Sequence, residues 1–380
     1  MKVKRILLPL LSQSVMTGKV MILYGPRQVG KTTLISDFLT LPETTSLQRF
    51  INADELVYRE ALASQDRQRL GELLGENQLL AIDEAQRVPN IGINLKILVD
   101  SFPEAAFIAT GSASFELANQ ISEPLTGRTL TYYLYPVSYL EIRNTLGAFE
   151  AKSQLERWMI WGGYPAILVT EAVQLREKLL SELVGSYLYR DLLELEGLRR
   201  ADKLVDLLRL LAFQIGNEVS LTELAANLAL NRETVERYLD LLEKVFVIFK
   251  VRGFSRNLRK EISKTSRYYF YDNGVRNSLI QNFNPLQLRN DVGQLWENFL
   301  MVERRKAINY SGRTANSYFW RTYDQKEIDY IEESGGRLSG FEFKWKGEVR
   351  KAVRREFMET YPGSEVMTIT PENFEAFVTL

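Results

Sequence analysis

Apolar positions along the chain change period, and those changes mark out its elements. Lys19-Val-Met-Ile-Leu-Tyr24 is apolar after its first residue and rich in β-formers, which predicts a short buried strand. The periodic Leu34-Ile-Ser-Asp-Phe-Leu39 beyond it predicts a helix, and Leu79-Leu-Ala-Ile82 and Ala105-Ala-Phe-Ile-Ala-Thr110 repeat the buried-strand pattern. Residues 151–216 follow a helical period apart from the turn Gly162-Gly-Tyr-Pro165. Ser220-Leu-Thr-Glu223 is a capping box opening LTELAANLAL, and Asn231 caps the longer RETVERYLDLLEKV. Two helices on a short turn, then the strand VFVIFKV and a basic hairpin ending in YYFYD, predict a winged helix. Further on, Gly293–Glu303 predicts a helix with Leu295, Phe299 and Val302 on its apolar face. Alternating strands follow over Ser317–Tyr323, Glu327–Ile331 and Gly340–Trp345. A helix over Val349–Thr360 then sets Val349, Ala352, Val353 and Phe357 opposite Arg350, Lys351, Arg354 and Arg355.

Composition narrows the chemistry. The 380 residues contain no cysteine, which excludes disulfides, thiolate metal sites and thiol catalysis. They contain no histidine either, which removes the usual zinc ligand and the usual general base. Catalysis must run on carboxylates, lysines, arginines, hydroxyls and bound metal. The N-terminal MKVKRILLPLLSQS has only a six-residue apolar run interrupted by Pro9, and no small-residue cleavage site. Stretches such as VMILY and VFVIF are far below the roughly 18 residues that span a bilayer. The expectation is a soluble, cytoplasmic protein with no membrane contact and no zinc. Net charge is zero, with 48 basic and 48 acidic residues, but Lys250–Arg267 holds seven basic residues and one acidic one.

The first strand runs into Gly25-Pro26-Arg27-Gln28-Val29-Gly30-Lys31-Thr32-Thr33, the G-x-x-x-x-G-K-S/T pattern in a strand–loop–helix setting. Its glycines let backbone N–H groups turn inward around phosphates at a helix N-terminus. Lys31 would reach the β- and γ-phosphates of ATP, and the Thr32 hydroxyl would ligate magnesium. The second strand ends in Asp83-Glu84, where Asp83 would hold Mg2+ and Glu84 would polarise the attacking water. Thr110-Gly-Ser-Ala-Ser114 places hydroxyls at the next strand end, a position suited to sensing the γ-phosphate. Arg128, in Leu125-Thr-Gly-Arg128, is a candidate arginine finger, acting in cis or on a neighbour's nucleotide in a homo-oligomer.

In the second helix of the expected winged helix, the charges of Arg232, Glu233, Glu236 and Arg237 cancel. The basic wing, with Arg252, Arg256, Arg259, Lys260, Lys264 and Arg267, is better suited to a nucleic-acid backbone, though such modules also serve as lids or packing elements. In the last 90 residues or so, the order Asp329, then Glu342-Phe-Lys344, then a helix is that of the PD-(D/E)XK nuclease core. Strand alternation sets Glu342 and Lys344 on one face, Asp329 would add a second carboxylate for Mg2+, and Glu297 could enter from its helix. In that reading Lys344 positions or polarises a metal-bound water, and the basic ridge Arg350, Lys351, Arg354 and Arg355 meets the phosphodiester.

Taken in order, GPRQVGKTTL, LLAIDEAQ, TGSAS, LTGR, YPVSYLE and WGGYP resemble a prokaryotic AAA+-type ATPase family. Its members carry a C-terminal domain of uncharacterised function with a PD-(D/E)XK restriction-endonuclease-like core. Gly163-Tyr-Pro165 also resembles the motif by which related signal-transduction ATPases contact the nucleotide base. The resemblance implies an α/β chain in three parts: a P-loop AAA+-like parallel sheet over 1–145, a helical segment and winged helix over 146–285, and a nuclease-like α/β domain over 286–380. The expected activity is Mg2+-dependent ATP hydrolysis gating a nuclease-like domain that acts on or binds nucleic acid. The alternative is an ATP-driven switch that binds protein or nucleic acid through an inactive nuclease-like scaffold. A P-loop kinase is disfavoured, because Asp83-Glu84 suits water better than a substrate hydroxyl.

Overall fold

The computed structural model describes residues 2–42, 44, 47–111, 124–186, 201–255, 266–322, 324–347 and 351–379. The chain forms two compact units, one of Arg5–Pro136 with Lys244–Phe246, the other of Met1–Lys4, Val137–Glu243 and Val247–Leu380.

The first unit runs α1 (Leu7–Ser14), β1 (Val20–Tyr24), α2 (Lys31–Leu39), β2 (Gln48–Asn52), α3 (Leu56–Leu62), α4 (Arg67–Leu74), β3 (Leu79–Asp83), α5 (Ile91–Ser101), β4 (Ala106–Gly111) and β5 (Thr129–Tyr133). Its five strands form one parallel sheet in the order β2-β3-β4-β1-β5. The three inner strands are buried at every residue, which is why they read as unbroken apolar runs. The edge strands, QRFIN and TLTYY, are mixed in character and only partly buried. In a parallel sheet all strand C-termini share one end, and ligands bind in the crevice outside those ends. Tyr24, Asp83 and Thr110 therefore deliver their following residues to one edge.

The second unit begins with α6 (Tyr139–Leu146), α7 (Ala148–Ser153), α8 (Leu155–Trp161), α9 (Pro165–Val169), α10 (Val173–Ser186) and α11 (Ala201–Phe213). There follow β6 (Glu218–Val219), α12 (Leu221–Leu228), α13 (Arg232–Lys244), β7 (Ile248–Gly253), β8 (Ser266–Phe270), α14 (Asn273–Leu279) and α15 (Val292–Tyr310). It ends with β9 (Asn316–Arg321), β10 (Glu327–Ser334), β11 (Arg337–Phe343), α16 (Lys351–Thr360), β12 (Glu365–Ile369) and α17 (Phe374–Val378). Both expected N-cap bonds form, but the reciprocal Glu223 side-chain bond that would complete a capping box at Ser220 does not. Asn231 accepts the Thr234 N–H at 2.7 Å, and Ser220 accepts the Glu223 N–H at 3.3 Å.

One seven-stranded mixed sheet, β12-β11-β10-β9-β7-β8-β6, runs through this unit. Parallel pairing of Arg252 with Tyr318 and of Gly253 with Phe319 joins the hairpin β7–β8 to the C-terminal strands. Along β11, Leu338 and Glu342 share a face with Val353 and Phe357 of α16, where Phe254, Trp320, Ile328 and Ile331 complete a core. Phe341 and Phe343 alternate to the other side, where they pack on Tyr330 and Phe377. The β9–β10 register shifts between Ile328 and Ile331, a bulge that holds Asp329. Among the described residues no helix is long and apolar enough to cross a membrane.

Candidate functional site: a phosphate-binding loop and a charged cavity

The loop after β1 is shaped by its glycines. At Gly25 a Cβ would stand 2.2 Å from the Leu134 carbonyl oxygen, so any side chain there would push the loop off its strand. Gly30 is left-handed at φ 94°, a conformation that glycine adopts without penalty, and it leads directly into α2. Lys31 is 5% exposed, and its Nζ donates to the Gly25 and Pro26 carbonyls at 2.9 and 3.0 Å. The ammonium thus lies folded over the mouth of its own loop, spanned by Gln28 at φ 60° and the buried Val29. Anionic phosphate oxygens are stronger acceptors than these carbonyls and would draw it outward.

The acidic strand end sits beside this loop. The Thr32 hydroxyl donates to Asp83 Oδ2 at 2.7 Å, bringing together the two residues expected to bind magnesium. Asp83 is 2% exposed, and its other oxygen accepts from the Thr110 hydroxyl. Thr110 also accepts the Glu84 N–H at 3.2 Å, so one hydroxyl at the end of β4 fixes both acids. The same hydroxyl stands at the strand end where the sequence expects a γ-phosphate sensor. Ser112 and Ser114 lie outside the described residues. Glu84 is left-handed at φ 53°, and its carboxylate accepts from Gln86 Nε2 at 2.5 Å. A non-glycine residue in that region stores strain that tends to accompany function. A hydroxyl plus a carboxylate is a donor set magnesium favours beside phosphate oxygens, so these residues fit the ion.

Two placements were not legible in the sequence. Arg5 forks across two carbonyls, Nη1 to Val29 at 2.8 Å and Nη2 to Tyr135 at 2.7 Å, tying the phosphate loop to the chain leaving β5. The only sequence signal was its place in a basic cluster ahead of an apolar run. Arg128, by contrast, is not brought to the phosphate loop. It precedes β5, its carbonyl bonds the Val20 N–H at the start of β1, and its side chain pairs with Asp100 at 3.0 Å. That is the opposite end of the strands from Gly25, so action in cis does not fit the structure.

In the second unit, Gly162-Gly163-Tyr164-Pro165 has a packing role. Gly162 is at φ 73°, and a Cβ there would stand 2.0 Å from the Asp272 carboxylate. Asp272 accepts the Gly163 N–H at 2.7 Å and caps α14 through the Val275 N–H at 3.0 Å. Burial raises its pKa from 3.8 to about 6, against the pull of those N–H groups. Tyr164 is buried, and Pro165 occupies the first turn of α9, where its missing N–H costs nothing.

The C-terminal candidates line a cavity of about 580 Å³, which receives Glu297, Asp329 and Lys344. Lys344 Nζ stands 4.0 Å from Asp329 Oδ2, the same oxygen that accepts the Phe343 N–H at 2.7 Å. Glu297 accepts from the Tyr269 hydroxyl at 2.7 Å, and burial pushes both its pKa and that of Asp329 upward. Three expectations are corrected here. Glu342 does not line the cavity, because alternation turns it to the α16 face, where Arg354 Nε meets it at 3.3 Å. The metal set Glu297, Asp329 and Glu342 therefore does not converge, and among the described residues no group of three acidic side chains is placed to hold a metal. Arg267, expected in a solvent-facing wing, is 3% exposed and bonds Glu327 at 2.7 Å over the face of Phe319. Arg256, Arg259, Lys260, Lys264 and Arg350 lie outside the described residues.

The strand order, the phosphate loop after β1 and the acidic end of β3 define an AAA-type P-loop ATPase domain, and the family model described as "AAA domain" matches residues 17–143. Two further models, each described as a domain of unknown function, match residues 152–286 (DUF8612) and 292–376 (DUF4143). The chain is 30% identical over 330 residues to Uncharacterized protein Rv2008c of Mycobacterium tuberculosis, covering 86% of this chain and 70% of that one. Mb2031c of Mycobacterium bovis matches equally, and the chain belongs to the family of these two proteins. An Uncharacterized protein of Haemophilus influenzae is 24% identical over 85% of this chain and 81% of its own. Among solved structures, a signal transduction ATPase with a tetratricopeptide repeat sensor from Pyrococcus horikoshii aligns at 13% identity. That alignment covers 80% of this chain and 46% of the other, with a TM-score of 0.30, too loose a superposition to add to the reading.

Proposed function

We propose that this protein is a Mg2+-dependent ATPase that uses its nucleotide state to switch the binding behaviour of its C-terminal region. The observation that carries the proposal is the Thr32–Asp83–Thr110 chain of hydrogen bonds beside the Lys31 ammonium. The loop N–H groups and Lys31 would bind the β- and γ-phosphates, replacing the two carbonyls that Lys31 now contacts. Magnesium bound at Thr32 and Asp83 would neutralise phosphate charge and fix phosphate geometry. Glu84, steadied by Gln86, would orient a water and take its proton as the water oxygen bonds to the γ-phosphorus and the bond to the β-phosphate oxygen breaks. Lys31→Ala should lose ATP binding or hydrolysis, and a Lys31→Ala protein that hydrolyses ATP at the wild-type rate would overturn the assignment.

The solvent-side position of Arg128 supports a finger acting on a neighbour's nucleotide rather than its own, and hence a homo-oligomer. Mixing Arg128→Ala with Lys31→Ala subunits tests this: recovered hydrolysis supports it, and none in a demonstrably mixed oligomer removes it. The order α11, β6, α12, α13 and the hairpin β7–β8 supports the winged-helix reading and, with Lys250 and Arg252 exposed on that hairpin, a nucleic-acid partner. A three-part division at about 145 and 285 and a cytoplasmic setting complete the proposal. The nuclease reading is favoured only by the shared cavity of Glu297, Asp329 and Lys344. Plasmid, single-stranded DNA and RNA incubated with Mg2+ or Mn2+ and ATP test it, with Asp329→Ala as the control; cleavage by wild type alone would establish it.

A further inference from the structure

A nuclease-like core calls for carboxylates left free to share a divalent cation. Here every candidate carboxylate already has its counter-charge or donor supplied by the chain. Arg267 is buried between Glu327, at 2.7 Å, and Glu297, at 3.7 Å, with its guanidinium carbon 4.4 Å above the Phe319 ring. Glu297 also receives the Tyr269 hydroxyl, Asp329 receives the Phe343 N–H with the Lys344 ammonium beside it, and Glu342 is held by Arg354. Burial opposes the charge on Arg267, but Tyr269, Glu297, Glu327 and Asp329 around it more than offset that and raise its pKa. A guanidinium does not deprotonate to make way for a metal, and its planar fork fits two carboxylates at once.

We infer that Arg267 is a built-in cation standing where a divalent metal would otherwise balance Glu297, Glu327 and Asp329, so that the C-terminal cavity works without metal. Magnesium entering there would face the fixed positive charge of Arg267 at short range, and like-charge repulsion opposes its binding. The metal set expected from the sequence and the charges found in the cavity are therefore at odds. This inference is independent of the ATPase reading, which concerns Thr32 and Asp83.

The same geometry makes a converse prediction. Replacing Arg267 by glutamine removes the cation that balances Glu297 and Glu327, and with Asp329 beside them a rearrangement of these side chains should then admit a divalent ion where none bound before. The test is Mn2+ binding by electron paramagnetic resonance on the full-length chain carrying Asp83→Asn, so that the front site is silent. The Asp83→Asn protein should bind no Mn2+ at millimolar metal, and adding Arg267→Gln should produce bound Mn2+ that Asp329→Asn then abolishes. Thermal melting gives a second readout: Mg2+ should raise the Tm of the Arg267→Gln protein and leave that of its parent unchanged. Bound Mn2+ in the Asp83→Asn parent, lost on Asp329→Asn, would overturn the inference. That measurement needs no Arg267 variant and so holds even if the substitution prevents folding.

Discussion

Arg5→Met is the sharpest test of how the phosphate loop is held, because the substitution keeps the aliphatic stem and removes only the fork. Two charge-assisted hydrogen bonds disappear, at 2.8 Å to Val29 and 2.7 Å to Tyr135. Bonds to a charged group contribute about 1.5–3 kcal/mol each, and the partly buried setting argues for the lower end, so about 3 kcal/mol is at stake. One of the two carbonyls belongs to the loop itself. If about half of the loss falls on the loop's phosphate-binding conformation, it amounts to roughly 1.5 kcal/mol, or about tenfold in affinity. Steady-state hydrolysis across ATP concentrations should then show KM raised about tenfold with kcat nearly unchanged, since Thr32, Asp83 and Glu84 are untouched. Arg5→Lys should recover part of the loss, because an ammonium can reach one carbonyl but cannot fork across both. A folded Arg5→Met protein with wild-type KM would refute the reasoning. A fall in kcat alone would place Arg5 in some other role.

Glu84→Gln should bind ATP as wild type does and turn it over at least about 100-fold more slowly, as loss of a general base requires; undiminished turnover would remove Glu84 from the chemistry. Gly162→Ala should destabilise the second unit by about 2 kcal/mol or more, through both its φ of 73° and the 2.0 Å approach to Asp272; a Tm within a degree of wild type would contradict the packing. Asp272 should give a pH signature, since its pKa is raised from 3.8 unfolded to about 6 folded. The folded state then holds its proton more tightly, so the contribution is fully present below about pH 4 and is lost as pH rises through about 6. Melting curves across that window should decline less steeply in Asp272→Asn, and identical slopes would show that Asp272 does not titrate there.

Glu342 and Arg267 show where sequence reasoning stops. Alternation along β11 correctly separated Glu342 from Phe341 and Phe343, because period two is a property of the strand itself. It could not say that Arg354 of α16 lies across that face, since the helix docks through Val353 and Phe357 on a core assembled from β9, β10 and β11. Lys344 lies just beyond the end of β11, and Asp329 sits in a bulge, so neither obeys the regular pleat that brought them together on paper. Arg267 belongs by sequence to a basic run that reads as solvated. Its place on β8, paired with β7 and through it with β9, carries it inward to Glu297, Glu327 and Phe319.

The phosphate-binding front, by contrast, was written locally. A buried strand, a glycine loop and a helix start need only contiguous residues, so Gly25 to Thr33 and the Asp83-Glu84 strand end were readable one segment at a time. The apolar runs likewise announced β1, β3 and β4, because strands buried on both faces tolerate little else. What only the tertiary structure decided was the partner of each charge: Arg5 on the loop, Arg128 at the far edge of its sheet, Thr110 between two acids, and Arg267 where a metal was expected. Charges act over distances set by the folded chain rather than by sequence separation. Their chemistry is therefore fixed only when sheet order and register bring distant residues within hydrogen-bond reach.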